Sequence, residues 1–141
     1  TRIANGSLVL GHASALAGST LDLASADLGA VSFGTLTAAS LGGLQGNRNL
    51  VLANAATTPA ALALTVGGNG ASTAFSGVLS GLGSLVKNGA GTAILTGTNS
   101  YSGITTLNSG NLMIGNGGTT GTLGTGNHFV EVVCIHGYIL P

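Results

Sequence analysis

The sequence predicts an all-β solenoid fragment on three observations: closely spaced apolar alternations, glycine-rich turns between them, and a strand motif that recurs. The alternations are Leu8 with Leu10, Leu21 with Leu23, Leu50 with Leu52, Leu62 with Leu64 and Val66, Ala93 with Leu95, and Leu112 with Ile114. Side chains two apart share one face of a strand, so each set reads as a strand with one buried side. The intervening stretches, such as VGGNGAS at 66–72 and GNGGTTG at 115–121, supply positive-φ turn positions at no steric cost. GSLVLG at 6–11 returns as GNLMIG at 110–115. Imperfect repetition of this kind is what stacked coils produce, because each coil must offer an apolar face to the next while its turns vary in length.

Taken in order, the first strand lies between Gly6 and Gly11. Residues 12–30, HASALAGSTLDLASADLGA, have the alanine and leucine content of a helix. Gly18, Ser19 and Thr20 stand in the middle of that run and are poor helix-interior residues, so strand and loop is the prediction. The strands around Leu50, Leu62 and Ala93 follow, and Phe33 and Phe75 each close a run of small residues before another strand. A sandwich would need tight hairpin turns between matched strands, and no Asn-Gly pair here has them.

Composition favours the same architecture. Of 141 residues 26 are Gly and 44% are hydrophobic, but three Phe, two Tyr and no Trp are too few bulky side chains to fill a compact globule. Three basic and three acidic residues give a formal net charge of zero, which leaves no electrostatic footprint for DNA, RNA or anionic lipid. No nucleic-acid partner is expected. Solubility falls to Ser, Thr, Asn and backbone, a balance compatible with life outside the cytoplasm at variable salt. A membrane helix needs about 20 consecutive apolar residues, and polar or glycine residues interrupt every candidate run. Five scattered rings are also too few for the aromatic girdles of a transmembrane barrel. The chain starts with Thr and shows no basic-plus-apolar leader, so it reads as an internal fragment.

Residues 75–115, FSGVLSGLGSLVKNGAGTAILTGTNSYSGITTLNSGNLMIG, closely resemble the autotransporter-associated β-strand repeat of bacterial autotransporter passenger domains. The motif elements are Lys87 with Gly89, Gly91 and Thr92, then Leu95, Gly97, Asn99, Tyr101, Gly103, Thr105 and Leu107, and finally Gly110, Leu112 and Ile114. Residues 31–54 and 62–70 look like the looser sequence that precedes such a repeat. Ala93 stands where the family usually has a larger aliphatic residue, which points to a slightly underfilled layer. The resemblance implies a right-handed parallel β-helix, exported across the outer membrane and displayed on the cell surface or secreted. It also implies a C-terminal outer-membrane translocator barrel as partner in the parent protein. Adhesion is a natural further role, with no receptor identified.

In that fold Leu95, Leu107, Leu112 and Ile114 are expected to point inward, each worth roughly 1.5 to 3 kcal/mol if fully buried. Asn99, Asn108 and Asn116 are expected to cap turns, and Tyr101 to cover a corner with its hydroxyl in water. These roles are structural. No catalytic, cofactor-binding or metal-binding residue is assigned.

Competing motifs are weak. GNGGTTG and GLGSLVK lack the spacing of phosphate loops. GGNGAST at 67–73 begins like a calcium-binding nonapeptide, but Ser72 stands where the aspartate ligand belongs, and there is one copy. β-Helices also carry polysaccharide lyases and hydrolases, whose chemistry needs clustered carboxylates. Asp22 and Asp27 are the only acids before the tail and read as solvated or turn-capping residues; His12 has no acid at useful spacing. The protein is expected not to be an enzyme. The alternative is a carbohydrate-active or ice- or glycan-binding β-helix, the latter resting on Thr92, Thr96, Thr105 and Thr106 as an outward threonine face. Threonine favours exposed strand surface in any case.

The organisation expected is a passenger-type repeat segment over 1–127 and an atypical tail over 128–141. The tail, HFVEVVCIHGYILP, holds the sole Glu and Cys and two of the three His. Cys134, His128 and His136 are too sparse a set for a zinc site, and a lone cysteine makes no intrachain disulfide. An out-of-frame or fragment-boundary end is the favoured reading. A native tail would instead add one apolar strand at an edge over 129–135.

Overall fold

A computed structural model describes residues 1–117 and 119–130. Its strands are β1 (Ser7–Val9), β2 (Leu16–Leu23), β3 (Ala30–Ser32), β4 (Ala38–Gly46), β5 (Leu50–Val51), β6 (Ala63–Val66) and β7 (Thr73–Phe75). They continue with β8 (Leu79–Ser80), β9 (Ser84–Lys87), β10 (Thr92–Leu95), β11 (Thr105–Leu107), β12 (Asn111–Ile114) and β13 (His128–Val130). No helix forms among the described residues, so none is long and apolar enough to cross a membrane. Residues 12–30 accordingly give strand β2 with flanking loop.

Every ladder between named strands is parallel. The chain therefore stacks as a β-solenoid of about five turns, as the alternations and turns predicted. One face runs β2-β4-β6-β9-β11-β13, and a second runs β4-β7-β10-β12. Strand β4 serves both: Ala38–Leu41 pairs with β6, while Gly46 pairs with Phe75 of β7. The third face is discontinuous, with β1 on β3 and, separately, β5 on β8.

Parallel strands must be buried on the inner side, and inward positions here line up rung upon rung. Leu64, Leu85 and Thr105 form one column, and Val66, Lys87 and Leu107 the next. On the second face Thr73, Ala93 and Leu112 align, beside Phe75, Leu95 and Ile114. Leu21, Leu41, Leu52, Leu62, Leu64 and Leu79 are fully buried within the same continuous core. Burial of each such leucine contributes roughly 1.5 to 3 kcal/mol, so a column of modest aliphatics replaces the large aromatic core that the composition lacks.

Coil lengths differ along the stack. Between β5 and β6 the chain makes a longer loop, tied by Asn54. Its Oδ1 accepts from the amides of Ala56 and Ala60 at 3.4 and 2.8 Å, while its Nδ2 donates to the Thr35 carbonyl at 3.3 Å. Between β6 and β12 the coils tighten, and side chain to backbone bonds recur at a separation of 20 residues, as from the Leu79 amide to Asn99 and from the Thr92 amide to Ser72. Strand β13 extends the ladder by pairing Thr105 with His128. The possible strand over 129–135 reaches beyond residue 130, and Cys134 and His136 lie outside the described residues.

Candidate functional site

The coil from β9 to β12 holds the motif positions, and its polar side chains define what it can do. At the corner after β9, Lys87 occupies an inward position and is 1% exposed. Its stem lies in the aliphatic column between Val66 and Leu107. Its Nζ leaves the column at the corner and donates to the carbonyls of Asn88 at 2.6 Å, Gly89 at 2.8 Å and Ser109 at 3.4 Å. An ammonium has three donors, and here three carbonyls from two successive corners receive them. Burial lowers the Lys87 pKa from its ordinary value. This lysine is a clamp between coils.

The glycines of the corner make room for it. Gly89 and Gly110 adopt φ values of +76° and +73°, a region that costs residues with a Cβ appreciable strain. They also stack: a methyl group on Gly110 would fall on the Gly89 carbonyl, and one on Gly89 on the Gly67 carbonyl. Gly91, Gly97 and Gly103 have no positive φ, but each faces a carbonyl one coil below, of Ala71, Gly77 and Gly83 respectively. Close backbone approach, rather than turn geometry, explains those three.

At the opposite corner Tyr101 is completely buried, and its hydroxyl shares a 2.6 Å hydrogen bond with Thr105 Oγ1. The expectation of a wet hydroxyl is corrected: Thr105 replaces the leucine of the preceding rungs and supplies a partner inside the core. A buried phenol needs such a partner, and burial raises the Tyr101 pKa. Asn99 is also buried, with Oδ1 accepting from the Leu79 amide at 2.8 Å and Nδ2 donating to the Thr122 carbonyl at 2.7 Å. It staples three successive coils. Asn108 instead donates across one rung to Asn88 Oδ1 at 2.9 Å, so a side-chain pair stands where a turn cap was expected. Asn116 is exposed.

Leu95, Leu107 and Leu112 are buried and Ile114 is partly buried against the core, as their alternation requires. Ala93 is buried in the column between Thr73 and Leu112. Thr92 is half-buried, its Oγ1 within 3.4 Å of Asn111 Nδ2. Thr105 is 3% exposed and so cannot belong to an outward threonine face.

The acids are corrected in part. Asp27 is buried rather than solvated, because Arg2, distant in sequence, grips it with Nε and Nη2 at 2.9 and 2.7 Å. That guanidinium holds the Asp27 carboxyl below the usual carboxylate range. Asp22 accepts from Gln45 at 3.0 Å. Ser14 takes up His12 Nδ1 at 2.9 Å. In the calcium-like stretch Asn69 Oδ1 accepts the Ala71 amide at 3.0 Å, and Ser72 Oγ accepts the Thr92 amide at the same distance. Among the described residues no group of three or more His, Cys, Asp or Glu could hold a metal ion.

Comparison with known proteins marks the same coil. The passenger-associated-transport-repeat family matches residues 85–114, the segment that contains the lysine clamp and both stacked corners. The chain is similar to the adhesin BmaC autotransporter of Brucella suis biovar 1 (strain 1330), at 34% identity over 149 aligned positions that include 99% of this chain. It spans 4% of that relative's length. No solved structure matches. Residues 85–114 thus carry a passenger-associated transport repeat, set in a β-solenoid that is similar along its length to part of an autotransporter adhesin.

Proposed function

We propose that the segment is a non-catalytic spacer. It extends an autotransporter-like passenger, on the cell surface or secreted, and displays neighbouring domains away from the outer membrane. Pairing of each coil on the one before it assists export, and a C-terminal translocator barrel of the parent protein is its partner in that step. The observation that carries this reading is the parallel ladder that runs from β2 to β13, with one register shift between Leu16 and Thr20, in which successive rungs hydrogen-bond to one another. The adhesin relative supports the surface setting.

Polysaccharide chemistry is disfavoured by the acids, since Asp27 is committed to Arg2 and Asp22 to Gln45. Glycan or ice recognition through threonines is disfavoured by the burial of Thr105.

The test is deletion in the parent protein. Removing residues 84–103, one register-matched coil, should leave an N-terminal epitope displayed on intact cells. Removing 84–93 breaks the register and should lower display several-fold, read by antibody labelling and protease access. Equal loss from both deletions, or retained display with loss of a hydrolytic activity, would overturn the spacer reading.

A further inference from the structure

The third face is broken between β3 and β5, which belong to separate two-stranded sheets. The missing pairing opens a cavity of about 370 Å³, a volume within the usual range for small-molecule sites. Its walls are mainly apolar, with Leu23, Val31, Phe33, Leu50 and Val51 among them, and Arg48 lines it too. Arg48 Nε is buried without a hydrogen-bond partner, an arrangement that costs free energy unless something supplies an acceptor. The nearby carboxylate does not fill that role, because Asp27 is held in a two-pronged pair by Arg2. Asn49, which also lines the cavity, is engaged elsewhere through its Oδ1, which accepts from the Val78 amide at 2.9 Å.

We propose that this cavity binds a small organic carboxylate on an apolar body, with the carboxylate on Arg48 and the body against Val31, Phe33 and Leu50. Guanidinium and carboxylate match in charge and in fork geometry. The apolar walls select the rest of the ligand. A pocket of this size holds one aryl or short alkyl acid.

Benzoate is the probe, with benzamide as its uncharged counterpart, titrated into the full chain and followed by amide chemical shifts. Saturable shifts confined to residues 30–33 and 48–51 are expected for benzoate, at least tenfold weaker for benzamide. Arg48→Gln should weaken benzoate at least tenfold. Because that variant could perturb folding, exposed Val51 is changed to Glu in a second variant, V51E, which places a competing carboxylate at the cavity and should weaken benzoate at least fivefold. Equal binding of benzoate and benzamide, shifts outside the cavity, or no benzoate binding at all would overturn the proposal. So would benzoate affinity unchanged in folded R48Q or in V51E.

Discussion

A lysine inside an aliphatic column is the least expected residue of this chain, and its chemistry yields a testable pH dependence. A base whose pKa falls on folding binds fewer protons in the folded chain than in the unfolded one between the two values. Stability therefore rises with pH across that window, which closes at the ordinary lysine value. Tyr101 acts in the opposite sense. Burial raises its pKa, so its contribution is complete below the ordinary tyrosine value and is lost as pH climbs through the folded one. Urea midpoints should thus rise toward about pH 10 and then fall. Lys87→Met should abolish the rise, and Tyr101→Phe the fall. At neutral pH K87M should also cost roughly 1 to 3 kcal/mol, because three carbonyls lose their donor. Y101F should cost roughly 1 to 2 kcal/mol by stranding the Thr105 hydroxyl. The double variant Y101F/T105V should recover most of that loss, since removing both partners of a buried bond is nearly neutral.

At the scale of strands and corners, backbone contact sets the rules. Gly110→Ala should destabilise by roughly 1 to 3 kcal/mol through its positive φ alone, and more because the added methyl lands on the Gly89 carbonyl. Loss of amide protection in β12, with a lower thermal midpoint, checks this. Gly6→Asn is the contrast: φ is +77°, but nothing lies within 4 Å of the added Cβ, and asparagine tolerates that region. Its midpoint should hardly move.

The same distinction explains how much of the molecule was legible beforehand. Period-two alternation reports directly on which side chains face inward, so Leu95 and Leu112 were readable from sequence, and the resemblance added Leu107. Resemblance marked Lys87, Tyr101 and Thr105 as motif positions, yet nothing local tells a buried lysine from an exposed one. Its acceptors on Ser109, and the phenol's inward partner, depend on how coils stack. The Arg2–Asp27 pair spans 25 residues and was invisible for the same reason. The cavity at Arg48 reflects a pairing that does not occur, for which spacing carries no signal.

Over the whole molecule, each coil leans only on its neighbours, so stability should vary with position along the stack. Amide hydrogen exchange should be slowest in β6 and β9, which have rungs on both sides, and faster in β1 and β12. Uniform exchange throughout would contradict that local coupling. The stacked glycine corners have a genetic consequence as well. Because a carbonyl of one turn fills the space above the α-carbon of the next, insertion of one or two codons there has no place to go. Duplication of a complete repeat, by contrast, presents every atom with the surroundings it had before. Unequal crossing-over can therefore lengthen or shorten such a gene in whole units without compensating substitutions.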